Sequence, residues 1–253
     1  PPVAAGLPAA ALSVAACMSS AVMRCSDSPA GSTGGRFLNS WRTLPKDATC
    51  AAQAPHEVAR LGVERLAVLE LSEYNLYRVE QELRVEFPDL VVDPILGDCG
   101  DAATLERVFT RVKPEAVFHA AAFKHVPLLQ HQVREAVRNN LLATQTLALA
   151  ADRHGVHNFV LISTDKAVRP TNVMGASKRL AELSLQALAA EPGGKTRFCM
   201  VRFGNVLGSS GSVVPLFRTQ IAKGGPITVT HPEVTRFFMT IPEASQLVIQ
   251  AGA

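Results

Sequence analysis

The chain has 253 residues, 47% of them hydrophobic and 19% charged, with a formal net charge of +3. That length suits one large α/β domain or two small ones, and the composition is that of an ordinary globular protein. So small a charge, with no Lys/Arg run, argues against nucleic acid as a partner. The cysteines (Cys17, Cys25, Cys50, Cys99, Cys199) are scattered without a C-x-x-C pair. They read as reduced thiols of a cytosolic protein, with no metal site.

Residues 1–23 carry no charge before Arg24. Three prolines, several serines and the lack of a basic flank argue against a membrane span or a secretory leader. A first residue other than methionine, and an end inside the helical pattern of "QLVIQAGA", lead us to expect a piece of a longer protein. Up to about residue 62, "CMSSAVMRCSDSPAGSTGGRFLNSWRTLPKDATCAAQAPHE" follows neither the helix period nor strand alternation. Residues 1–62 are therefore read as an irregular or mistranslated segment.

Beyond it the punctuation is regular. "RLAVLE" (65–70) is a short apolar run ending in an acid, a buried strand. "SEYNLYRVEQELRVEF" (72–87) spaces its apolar residues as a helix does and starts on a Ser. "DLVVDPILGD" gives a second strand, and "DAATLERVFTRVK" a helix closed by Pro114. "EAVFHAAA" is a third strand. "VREAVRNNLLATQTLALAADRHG" is a long helix ended by Gly155. "NFVLIST" (158–164) is a fourth strand, followed by a helix from about Thr171 to Ala190, and "TRFCMVRFGNV" is a fifth. Strands alternating with helices predict a Rossmann-like, doubly wound parallel sheet, with ligands beyond the carboxyl ends of the strands. Residues 63–206 would form this domain, and the irregular residues 207–253 part of a small C-terminal substrate lobe.

The candidate residues lie where strands end. Glu70 reads either as the acceptor for an adenosine ribose or as a solvated strand-end acid. Asp98 reads as a contact to the adenine edge or, like Asp101, as a helix N-cap. "HAAAFKHVP" (119–127) places small residues, Ala120 and Ala121, where a backbone could approach a cofactor or pack tightly on the sheet. His119 reads as a buried, hydrogen-bonded imidazole. Ser163, Thr164, Asp165 and Lys166 end the fourth strand, and Met174 and Lys178 share one face of the next helix. A hydroxyl, an acid and two lysines in one crevice can handle protons. A short turn with a solvated Asp–Lys pair is the other reading.

"ISTDKAVRPTNVMGASKRLAE", "VRFGNVLGSSGSVVPLFRTQI" and "GGPITVTHPEVTRFFMTIPEA" closely resemble the nucleoside-diphosphate-sugar 4,6-dehydratases, extended short-chain dehydrogenase/reductases of bacterial polysaccharide biosynthesis. The resemblance runs from about residue 65 to 253 and is to the large, membrane-anchored UDP-N-acetylglucosamine enzymes of capsular polysaccharide biosynthesis. In that subgroup a methionine, here Met174, takes the position of the usual tyrosine. The resemblance implies NAD as cofactor, a UDP-sugar substrate, a homo-oligomer, and a cytoplasmic location or the cytoplasmic face of the inner membrane through a preceding anchor.

It also implies roles. Asp165 would be the acid that protonates the leaving hydroxyl of carbon 6, and Lys166 the base at carbon 5. Lys178 would hold the nicotinamide ribose, and Ser163 or Thr164 the carbon 4 oxygen. Glu70, Asp98, Ala120, Ala121, Lys124 and Asn140 would face the cofactor, and Asn205 and Arg236 the sugar nucleotide. The alternative for Arg202 and Arg236 is a surface ion pair. The acid is expected to be held protonated by burial and the base neutral by nearby positive charge. Met174 has no ionisable group, so another residue must accept the sugar's hydroxyl proton.

One part of the family pattern is missing. No strand with a glycine-rich turn of the T-G-A-G-G-S-I-G type opens the domain, and the nearest stretch, "SPAGSTGGRF" (28–37), is interrupted by Pro29. A shifted reading frame before residue 62 would account for this. The sequence thus predicts a sheet without its first strand, and weakened NAD affinity. Two alternatives to the dehydratase remain. One is a 4-epimerase or 5-inverting dehydratase on the same scaffold, and the other a non-catalytic remnant.

Overall fold

The computed structural model describes residues 13–17, 21–25, 50–207, 213–229 and 231–252. In chain order the elements begin with β1 (Ser13–Cys17), β2 (Ala21–Cys25), α1 (Cys50–Ala59), β3 (Arg65–Glu70), α2 (Glu73–Glu86), β4 (Val91–Leu96) and α3 (Ala102–Val112). Then come β5 (Pro114–His119), α4 (Val126–Gln130), α5 (Val133–Ala136), a π-helical stretch (Val137–Leu142) and α6 (Ala143–Arg153). The chain continues through β6 (Asn158–Thr164), a 3-10 turn (Asp165–Ala167), α7 (Val173–Ala189) and β7 (Arg197–Phe203). The chain ends with β8 (Asn205–Val206), α8 (Val213–Ala222), β9 (Phe238–Met239) and α9 (Ile241–Gly252); α9, expected in a substrate lobe, packs instead on the main sheet.

Local chemistry sets these boundaries. The Ser72 hydroxyl accepts from the Asn75 amide to start α2, and the Asp101 carboxylate accepts from the Ala103 and Thr104 amides to start α3. Lys113, in the left-handed region at φ 47°, ends α3 just before Pro114 opens β5. The Asn172 side chain caps α7 through the Gly175 amide. Along β3 every residue after Arg65 is buried, and Phe159, Val160 and Leu161 are buried in β6, as strands covered on both faces require.

The parallel pairings give the order β4-β3-β1-β5-β6-β7, the doubly wound arrangement. Helices α3, α6 and α7 pack as one group, and α1, α2 and α9 as another, with α7 and α9 both against β6 and β7. The core joins Leu66, Leu69, Leu105, Phe109, Leu147, Phe159 and Leu185. Burying each contributes about 1.5–3 kcal/mol. Among the described residues no helix is long and apolar enough to cross a membrane.

The segment before residue 62 departs from the sequence reading. The position between β3 and β5, expected to lack a strand, is taken by β1, parallel to both neighbours. Its sequence, SVAAC, is too short and too rich in small residues to announce a strand, but it suits a central one. Strand β2 pairs antiparallel with the same two strands, three residues after β1 ends. Helix α1 also falls within the stretch read as irregular. The glycine stretch 28–37 lies outside the described residues.

Candidate active site

Because the strands are parallel, Glu70, Asp98, Ala120 and Ala121, Thr164 to Lys166, and Asn205 all follow carboxyl ends on one edge of the sheet. The 3-10 turn after β6 holds the densest chemistry. The Thr164 hydroxyl donates to Asp165 Oδ1 at 2.9 Å and accepts from the Lys166 amide at 3.3 Å. Lys166 Nζ donates to the same Asp165 oxygen at 3.0 Å. The two side chains of this ion pair are 48% (Asp165) and 33% (Lys166) exposed, so water reaches both.

Burial pushes the Asp165 carboxyl up, but hydrogen bonds from Lys166 and Thr164, with the lysine's charge, outweigh it and leave the group below its ordinary value. The expectation of an acid held protonated by burial is thereby corrected. The carboxyl is too exposed and too well supplied with donors to keep its proton.

Helix α7 touches β6 and this turn at successive points on one face. At Gly175 an added Cβ would lie 2.2 Å from the Lys166 carbonyl oxygen, so the helix meets the turn backbone directly. Lys178, 5% exposed, donates from Nζ to the Ile162 carbonyl at 2.9 Å. One turn further, buried Glu182 accepts from Ser163 Oγ at 2.6 Å and from Arg202 Nε and Nη2 at 2.8 and 2.5 Å. Arg179 adds a fourth bond at 3.0 Å. Burial pushes Glu182 up, yet the bonds from Arg202, Ser163 and Arg179 hold it below the usual carboxylate range.

Ser163 and Thr164 therefore separate. Neighbouring residues of a strand face opposite ways, and the Ser163 hydroxyl is spent on Glu182. Thr164 is the hydroxyl beside the Asp165–Lys166 pair. Met174 is 4% exposed and packs with Leu129 and Ala136, a packing role rather than a chemical one.

The cofactor-side residues divide as well. Glu70 is fully buried and accepts from the Ser72 amide at 2.8 Å. Asp98 accepts from the Gly100 amide at 2.7 Å, while Asp101 is the cap of α3. Ala121 is buried and Ala120 half-buried, leaving little bulk at the end of β5; Lys124 is exposed. Asn140, assigned to the cofactor from sequence, is corrected. Fully buried in the π-helical stretch, it accepts from the Phe123 amide at 2.8 Å and donates to the Phe123 carbonyl (3.1 Å) and Ser177 Oγ (3.0 Å). Its amide is used inside the protein, where it ties the loop after β5 to α7.

His119 is a buried, bonded imidazole, with Nε2 2.8 Å from Thr144 Oγ1. The Thr144 hydroxyl proton goes to the Asn140 carbonyl, so His119 donates and carries its proton on Nε2. Burial, then the charge of Lys178, push its pKa down to about 3.

After β7, the Asn205 side chain donates to the Phe237 carbonyl at 3.3 Å, and β8 pairs with β9. A Cβ on Gly204 would sit 3.1 Å from Phe237 O and 3.7 Å from Asp165 Oδ2, so the chain leaving β7 passes beside the acid. Arg236 is exposed and bonds only its neighbour's carbonyl, Thr235 O, among the hydrogen bonds described. Arg202 is the ion pair to Glu182. Sequence reasoning missed Glu182, although an acid four residues after Lys178 on the same helix face was a readable signal.

The polysaccharide biosynthesis protein family matches residues 51–253. The chain is 51% identical over 203 residues to the capsular polysaccharide biosynthesis protein CapD of Staphylococcus aureus, covering 78% of this chain and 33% of that protein. It is 36% identical over 173 residues to the UDP-glucose 4-epimerase of Rickettsia massiliae, covering 68% of this chain and 50% of that protein. It thus spans about a third of the CapD relative and half of the epimerase. Among solved structures, Pen from Bacillus thuringiensis superposes with a TM-score of 0.73 at 34% identity, over 80% of this chain and 63% of that one. The dTDP-glucose 4,6-dehydratase DesIV of Streptomyces venezuelae, solved with NAD bound, gives 0.66 at 22% identity, over 78% of this chain and 66% of that one, a likeness of fold. The chain belongs to the polysaccharide biosynthesis protein family, built on the Rossmann-like scaffold of the extended short-chain dehydrogenase/reductases.

Proposed function

We propose that the chain carries the active site of an NAD-dependent 4,6-dehydratase acting on a UDP-sugar, UDP-N-acetylglucosamine first, for surface polysaccharide synthesis. The observation that carries this reading is the hydrogen-bonded row Thr164–Asp165–Lys166 at the carboxyl end of β6. The capsular relative and the NAD bound in a fold neighbour support it. The residues present fit a dinucleotide everywhere but at its pyrophosphate turn. Small residues end β5, Glu70 ends β3 and Asp98 follows β4 on the same edge of the sheet, and Lys178 lies between α7 and β6. Bound NAD would supply a hydride acceptor toward carbon 4 and a hydride donor toward carbon 6 of the sugar.

The protein's own groups balance the protons. Asp165, ionised at rest, accepts the carbon 4 hydroxyl proton through the Thr164 hydroxyl, the task that Met174 cannot perform. While Asp165 is neutral, Lys166 releases its own proton to solvent and takes the one on carbon 5, made acidic by the carbon 4 ketone. Asp165 then gives its proton to the carbon 6 hydroxyl, which leaves as water, and is ionised again. Lys166 returns the proton it took to carbon 5 as the product forms and regains its own from solvent. Lys178 holds the nicotinamide ribose, and Asn205 and the exposed Arg236 meet the sugar nucleotide, Arg236 through its planar fork on the diphosphate.

The test is Asp165→Asn. Turnover is expected to fall about 10²–10⁴-fold, with stability changed by less than about 1 kcal/mol because the ion pair is exposed. Full turnover in this variant removes the assignment. A second reading, a 4-epimerase, is favoured by the match to the Rickettsia epimerase. It predicts a product that keeps its carbon 6 hydroxyl.

A further inference from the structure

Glu182 is fully buried, and its carboxylate receives four hydrogen bonds from three elements: Ser163 of β6, Arg202 of β7 and Arg179 of its own helix α7. A buried ionic cluster of this kind seldom adds stability over a well-packed apolar one, because desolvation offsets the attraction. Its geometry is specific, however. Gly175, Lys178 and Glu182, at i, i+3 and i+7 on one face of α7, meet the Lys166 carbonyl, the Ile162 carbonyl and the Ser163 hydroxyl respectively. Two of these contacts fall on adjacent residues of β6, directly before Thr164. The helix is thus registered against the strand at its deep end by Glu182 and at its shallow end by Gly175. Arg202, opposite Ser163 in the β6–β7 ladder, extends the registration to the next strand.

We infer that Glu182 is a positioning residue for the Thr164–Asp165–Lys166 turn. It acts through Ser163 to fix how far α7 sits along β6, and so where the acid and base of the turn are presented. The inference rests on the reading above only in giving that turn its catalytic role.

The readout is the titration of the Asp165 side chain, followed by its carboxyl carbon shift in selectively labelled protein. Lys166 is the charged group facing it, and Thr164 its hydroxyl donor. In the unsubstituted protein the midpoint should lie below the ordinary value of about 3.9. Glu182→Gln should move it up toward that value, because a loosened turn no longer aims both donors at Asp165. Ser163→Ala, which leaves the arginines on Glu182, should move it in the same direction, and Ser163→Thr, which keeps the hydroxyl, should leave it in place. Should Glu182→Gln fail to fold, the two Ser163 variants decide alone. An unchanged Asp165 midpoint in folded Glu182→Gln or in Ser163→Ala, whatever happens to Tm, overturns the inference. The titration is read without substrate, so absence of dehydratase product would sink the proposed function and leave this result standing.

Discussion

Gly175→Ala sets two known effects against each other. In an open helix, alanine in place of glycine stabilises by roughly 0.5–1 kcal/mol. Here the new Cβ would meet the Lys166 carbonyl oxygen at 2.2 Å and its carbon at 3.0 Å, with Pro170 Cβ at 3.3 Å. Contacts under 3.0 Å are essentially never seen, so the turn or the helix must move by at least about 0.8 Å, from 2.2 to 3.0 Å. The obstacle is backbone, which cannot swing aside as a flexible side chain can. Overpacking of this kind costs about 1–3 kcal/mol, more than the propensity gain, so the net sign is destabilising. For a chain of this size Tm should fall by about 2–4 °C per kcal/mol. The displaced residue is Lys166, the proposed base, and a misplacement near 1 Å costs on the order of 10²-fold in rate. Thermal melts and turnover of the purified variant measure both. An unchanged or raised Tm with full turnover would refute the close approach of α7 to the turn.

Other outcomes follow from separate parts of the structure. The Ser245 hydroxyl is buried beside an apolar cavity lined by Val58, Phe118, Ile162 and Val248, and has no hydrogen-bond partner among the described residues. Ser245→Ala should therefore raise stability by about 1 kcal/mol, and a lowered Tm would contradict this. His119, neutral when folded down to about pH 3, takes up a proton in the unfolded chain near pH 6.5. Between those values only the unfolded state binds the proton, so stability is full above pH 6.5 and declines as the pH falls toward 3. The loss is on the order of 1.4 kcal/mol per pKa unit. Denaturant melts of His119→Gln should show a shallower acid slope than the unsubstituted protein, and an identical slope would exclude His119 as its source. NAD+ binding by titration calorimetry should be weak, because Met18, Ser19 and Ser20, not a glycine-rich turn into a helix, follow β1. Tight binding would contradict it.

Most of the sheet was legible because its signals are local. "RLAVLE" and "NFVLIST" coincide with β3 and β6, and Asp101 caps α3 as its sequence position suggested. The π-helical stretch was not legible, since Val137–Leu142 keeps the apolar spacing of the helix around it and only its hydrogen-bond pattern differs. Strand β1 escaped because its five small residues carry no alternation, and its place is set by partners at residues 65–70 and 114–119. The site was legible as a set of residues but not as a set of charges. "STDK" announced an acid and a base, while the ionisation of Asp165 depends on where the hydrogens of Thr164 and Lys166 point. Asn140 and Ser163 look the same in sequence whether they face a ligand or a neighbour, and both face neighbours here.

The central claim is that a hydrogen leaves carbon 4 of the sugar and returns at carbon 6 while Asp165 and Lys166 remove water. It is tested most directly by incubating the protein with saturating NAD+ and UDP-N-acetylglucosamine deuterated at carbon 4, and reading the product by NMR. The account predicts a 4-keto-6-deoxy sugar nucleotide with deuterium at carbon 6. Deuterium still on carbon 4 of an epimer that keeps its carbon 6 hydroxyl, or untouched substrate, would contradict it.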